Sequence, residues 1–123
     1  MTNIIYLTLG SILGGLSRYF LGGFVQKASA SGFPFGTMAV NLLGCLIAGF
    51  VLSAGENKLP LSESARFFLI TGFCGAFTTF SALMFESDAL LRSGQALSAF
   101  LNILISVTAG LAIFRLGFFL GKP

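Results

Sequence analysis

Four long apolar runs joined by short polar connections constrain this chain more than any other feature. Ile4 to Val25, Gly36 to Ala54, Ala65 to Leu91 and Leu97 to Leu120 meet or nearly meet the ~20 helical residues that a hydrocarbon core of ~30 Å requires. The connections read "QKASASGFPF", "GENKLPLSES" and "RSGQ". Pro34 and Pro60 stand where a helix can end without loss, and "SES" before Ala65 offers an N-cap for the third run. The spacing predicts a single all-α integral membrane domain over residues 1–123, with spans at about 4–25, 36–54, 65–91 and 97–120.

Composition narrows the function classes. The 123 residues are 55% hydrophobic and 9% charged, with a mean hydropathy of +0.94, which is the signature of a membrane protein. The net charge of +3 is small and the basic residues form no run, so nucleic acid is not an expected partner. There is no histidine, and Cys45 and Cys74 lie inside apolar runs without metal-pair spacing, which points to buried free thiols. No enzyme is expected. "ASA" at residues 28–30 imitates a signal-peptide cleavage site. The run before it is too long, lacks an early basic residue and contains Arg18, so it reads as a first span.

Orientation is weakly specified. Four spans put both ends and the middle connection on one face, with Lys58, Arg66 and Lys122, against Lys27 and Arg92 on the other. Three against two is either noise in a short chain or the mark of a protein that inserts both ways and pairs antiparallel with itself.

Small and polar residues recur every four positions inside the runs: Gly10, Gly14, Arg18 and Gly22; Thr37, Asn41, Cys45, Gly49 and Ser53; Ser98, Asn102, Ser106 and Gly110. Steps of four stay near one face of a helix. Close helix packing accounts for the glycines, because lipid supplies no hydrophobic drive for helix association. Asn41 and Asn102 are costlier to bury and suggest a wet or ligand-lined interior. Arg18 admits two readings, a snorkelling side chain or an anion-attracting vestibule, whereas Arg115 reads as a snorkelling anchor. Glu86 and Asp88 are expected at the interface rather than as titrating carboxylates of a transporter.

The third run contains "GFCGAFTTFSALMFE", Gly72 to Glu86. Its glycines and hydroxyls predict a helix break within residues 71–81, which is tolerated at membrane depth only inside protein or beside a cavity. A break frees carbonyls that can hold a cation and amides that can face an anion.

At these residues the chain resembles the Fluc (CrcB) fluoride channels. "GFCGAFTTFS" is similar to their third-helix signature, "GGLSRYFLG" to their first-helix arginine motif, and "PFGTMAVNLLGCLIAGF" to their second-helix segment. The resemblance implies a dual-topology antiparallel homodimer in a bacterial plasma (inner) membrane, passing fluoride passively out of the cytoplasm and lowering its toxicity. It further implies a structural Na⁺ at the dimer centre, held by backbone carbonyls of Gly75 and Thr78. Asn41 and Phe80 map onto the pore, with Thr79 and Ser81 as further donors, and Arg18 onto the vestibule. The chain departs from the family where Ala82, Leu83 and Met84 replace Thr, Phe and Ser, and where Gly110 replaces a fourth-helix serine. Leu83 would then take the place of a ring, with Ser106 and Thr108 as approximate substitutes in the polar track. The alternatives are a non-conducting half of a heterodimer and a proton-coupled small multidrug-type exporter. The exporter requires a carboxylate deep in the first helix, which holds only Arg18.

Overall fold

A computed structural model describes residues 1–57 and 61–123; Lys58 and Pro60, which the sequence places at a connection, lie outside the described residues. The described residues fold into helices joined by short connections, with four spans: α1 (Thr2–Ser29), α2 (Phe35–Asn57), a composite third span (Glu63–Arg92) and α6 (Ala96–Leu120). Each is long and apolar enough to cross a membrane. The helices outrun the apolar cores because their ends continue into the headgroup zone with residues such as Gln26, Lys27 and Glu56.

The third span is built from four pieces. α3 (Glu63–Arg66) starts at Ser62, whose hydroxyl accepts the Ala65 amide at 3.2 Å. A π-helical stretch, Phe67–Cys74, follows, then a last turn α4 (Gly75–Phe77). Thr78 and Thr79 are extended (φ −90°, ψ 160° and φ −154°, ψ 122°), and α5 (Phe80–Arg92) resumes beyond them. The break is therefore two residues wide. Gly72 and Gly75, expected to take part in it, are helical.

Gly72 serves packing instead, together with Gly10 and Gly14 of α1. A Cβ on Gly72 would sit 2.7 Å from the Leu7 carbonyl oxygen, and Cβ atoms on Gly10 and Gly14 would strike the carbonyls of Phe68 and Phe73. α1 and the π-helical stretch thus approach backbone to backbone. α2 and α6 do the same through Gly49 and Gly117, which face the carbonyls of Phe114 and Leu46. The small core holds Phe77, Val40, Leu83 and Leu90, while most large apolar side chains face outward, as the bilayer requires of a membrane bundle.

Short polar links fix the two ends. Asn3 Nδ2 donates to Glu63 at 3.1 Å, Ser64 Oγ donates to Asn3 Oδ1 at 3.1 Å, and Arg66 lies 4.0 Å from Glu56. At the other end Gln26 donates to the carbonyls of Ser31 (2.8 Å) and Phe33 (3.0 Å) and accepts the Gly36 amide (3.0 Å). That single side chain shapes the first connection and sets the start of α2.

Candidate ion pathway

An interrupted helix at membrane depth exposes backbone groups that cost several kcal/mol each if left bare, on the order of 2–7 kcal/mol. Here Asn41 satisfies them. The Thr79 amide donates to Asn41 Oδ1 at 2.7 Å, and Asn41 Nδ2 donates to the Thr79 carbonyl at 3.0 Å. The side-chain amide pairs with Thr79 as a neighbouring strand would. A primary amide has two N–H donors, so one remains after this pairing.

Both half-helices are finished by threonine. Thr78 Oγ1 donates to the Cys74 carbonyl at 2.9 Å, closing the first half. Thr79 caps the second, its hydroxyl accepting the Ala82 amide at 3.2 Å and lying 3.3 Å from Ser81 Oγ. A helix leaves its first amides without internal partners, so those of Phe80 and Ser81 stand at the positive end of α5. In an unbroken helix the Thr79 amide would bond the Gly75 carbonyl. Its diversion to Asn41 frees that oxygen.

An open cavity of about 400 Å³ adjoins the break, lined by Arg18, Thr37, Thr79, Ser81, Ala82 and Phe85. A second, of about 610 Å³, shares Arg18, Thr37 and Phe85 and extends to Gln26, Glu86, Ser93 and Gln95. Together they trace a groove from one end of the bundle to the break. Thr37 Oγ1 donates to Glu86 at 2.5 Å, while the other Glu86 oxygen is buried without a partner among the described residues. Glu86 is thus half-buried against α2 and not at the free interface expected for it; Asp88 is there, paired with Arg92.

The expected site residues do not all come together. Arg18, Asn41, Thr79 and Ser81 meet at the break and its cavity. Phe80 begins α5 beside them but is 72% exposed, on the outer surface of the chain. Leu83 (4% exposed) is turned into the chain's own core and lines neither cavity. Ser106 and Thr108 do not act together: Ser106 is buried, while Thr108 is exposed and donates to its own helix at Leu104 O, 2.7 Å. Residues two apart on a helix point to different faces, a constraint that separates them. Gly75 is exposed and Thr78 half-buried at the end of the first half-helix. Asn102, 1% exposed, donates to Ser87 Oγ at 3.0 Å and so joins α6 to α5.

Sequence reasoning missed Phe85, which lines both cavities, and the pairing of Thr37 with Glu86. Thr37 belonged to the polar stripe of α2 and could have been found there; its partner, 49 positions away, carried no local signal.

With this geometry in hand, the comparisons are specific. The family described as CrcB-like protein, Camphor Resistance (CrcB), matches residues 5–118. The chain belongs to the CrcB-like family. Similar proteins include the fluoride-specific ion channel FluC of Nitratidesulfovibrio vulgaris (strain Miyazaki F), 46% identical over 99% of this chain and 98% of the relative. The fluoride-specific ion channel FluC of Chlorobaculum tepidum is 43% identical over 99% and 96%, and that of Desulforapulum autotrophicum 41% over 96% and 94%. CrcB-like membership agrees with a multi-pass membrane protein that is not an enzyme.

Proposed function

We propose that this CrcB-like chain is a fluoride-specific ion channel, in which two antiparallel copies in a bacterial plasma membrane let cytoplasmic fluoride leave down its electrochemical gradient. The observation that carries this reading is the break at Thr78–Thr79, held open by Asn41 and facing a cavity with Arg18. Full-length similarity to fluoride-specific channels supports it.

The chemistry suits fluoride. The ion is small, strongly hydrated and a strong hydrogen-bond acceptor, so it must be offered donors as it leaves water. Arg18 raises the local anion concentration at the groove. The spare Asn41 N–H, the hydroxyls of Thr79 and Ser81, and the first amides of α5 replace part of the hydration shell. Phe80, on the outer surface, would meet the ion through the positive edge of its ring where a second copy closes the path. Each contact is weak enough for the ion to move on. Fluoride enters cells as neutral HF and ionises inside; a passive pore lets the membrane potential expel it. Ser106 would extend this path within the bundle, while Leu83 packs in the core.

A sodium ion fits the freed carbonyls. Gly75 lacks its helical donor, and a Cβ there would meet nothing nearer than the Ile70 carbonyl oxygen at 3.9 Å, leaving room beside the backbone. Gly75 and Thr78 of one copy would supply two oxygens and a second copy two more. The bound cation would offset the negative ends of the half-helices.

The test is fluoride efflux from liposomes containing only the purified chain, read with a fluoride electrode, with chloride as control. Rapid fluoride efflux without chloride, independent of a proton gradient, is expected. Efflux that needs a proton gradient would instead identify an exporter. No efflux from folded dimers would identify half of a heterodimer.

A further inference from the structure

Among the described residues, two cations converge on one aromatic ring with no side-chain carboxylate paired to either. Arg115 Cζ lies 5.9 Å from the centroid of the Phe118 ring, and Lys122 Nζ lies 5.7 Å from it. The chain has four acidic residues, and each is engaged elsewhere. Glu56 faces Arg66, Glu63 takes Asn3, Glu86 takes Thr37 and Asp88 takes Arg92. A ring quadrupole attracts both cations but carries no net charge, so their mutual repulsion is left standing.

We propose that Arg115, Phe118 and Lys122 form a binding site for the phosphate of an anionic phospholipid headgroup at the C-terminal end of α6. Arg115 precedes the end of α6 at Leu120 and Lys122 follows it, so the pair brackets the end of a membrane span, where a basic cluster attracts anionic headgroups. Both side chains are exposed. The ring between them rests on fixed backbone: a Cβ on Gly49 would sit 3.0 Å from the Phe118 amide nitrogen, and one on Gly121 2.7 Å from the Phe50 carbonyl oxygen. The platform is therefore set by the interlock of α2 with α6 before any lipid arrives. Among the described residues only Arg115 and Lys122 lie over a ring, and Arg18 belongs to the cavity. This inference is independent of what the channel conducts.

The experiment is native mass spectrometry of the full chain released from nanodiscs holding equal phosphatidylglycerol and phosphatidylcholine. Wild type should retain phosphatidylglycerol preferentially, on the order of tenfold for two basic residues. Arg115→Gln with Lys122→Gln should bring retention close to parity, while Lys27→Gln should leave it unchanged. Phe118→Leu keeps both charges and should lose a few-fold of the preference, roughly two- to fivefold. An unchanged preference in the double variant, or none in wild type, overturns the proposal. So does inorganic phosphate at millimolar concentration displacing the lipid and remaining bound itself, which would make the ligand a free anion.

Discussion

The α2–α6 pair and the third span use the same materials to opposite ends. Both are apolar and studded with glycine and hydroxyl residues. Between α2 and α6, Gly49 and Gly117 let two intact helices interlock backbone to backbone. In the third span, glycines do the same work against α1, yet the helix still parts, at Thr78 and Thr79. The difference lies outside the span. Asn41 of α2 offers Thr79 a donor and an acceptor together. A helix in lipid is interrupted where another helix can replace the lost bonds, not where its own sequence is most flexible.

Filling the interlock should have the largest effect. Gly49→Leu would drive a side chain into the Phe114 carbonyl and is expected to prevent a stable bundle, a loss exceeding ~3 kcal/mol, read as loss of a monodisperse species by size exclusion. Next comes Asn41→Ala, which strips two backbone partners from Thr79; at ~1–3 kcal/mol for each unsatisfied group the break should lose its geometry, and fluoride efflux should fall below about one-hundredth of wild type. Thr79→Ala removes the α5 cap and one hydroxyl, costing about 1 kcal/mol in thermal stability and slowing efflux several-fold. Arg18→Gln should reduce efflux mainly at low ionic strength, with the difference shrinking as salt screens the guanidinium over a Debye length of ~10 Å at 0.1 M. Thr108→Val touches only its own helix and should change neither stability nor flux, within ~0.5 kcal/mol.

The four spans were legible because length against bilayer thickness is a one-dimensional rule, and each run obeyed it. The packing role of Gly10, Gly14 and Gly49 was legible from four-residue spacing. The width of the break was not. Gly72 and Gly75 suggested local flexibility, but Gly72 is held helical by the close approach of α1, Gly75 continues the helix into α4, and the true determinant sits 38 residues away in Asn41. Asn41 was singled out for its burial cost, although its bonds to Thr79 make it a brace as well as a donor. Ser106 and Thr108 were both named as approximate substitutes for the family's fourth-helix serine, which aligns with Gly110; a spacing of two on a helix puts them on different faces. Leu83 was expected in place of a ring at the pore, yet its side chain fills the core.

The central claim is that Asn41 both braces the break and offers a donor to the passing anion. Fluoride efflux through Asn41→Asp in liposomes tests it most directly. Aspartate keeps the oxygen that accepts the Thr79 amide but loses both the N–H that donates to the Thr79 carbonyl and the spare N–H, and adds a negative charge. The variant should still purify as a dimer, less stable than wild type by about 1–3 kcal/mol for the one lost backbone partner, and pass no fluoride. Wild-type efflux through that variant would contradict the claim.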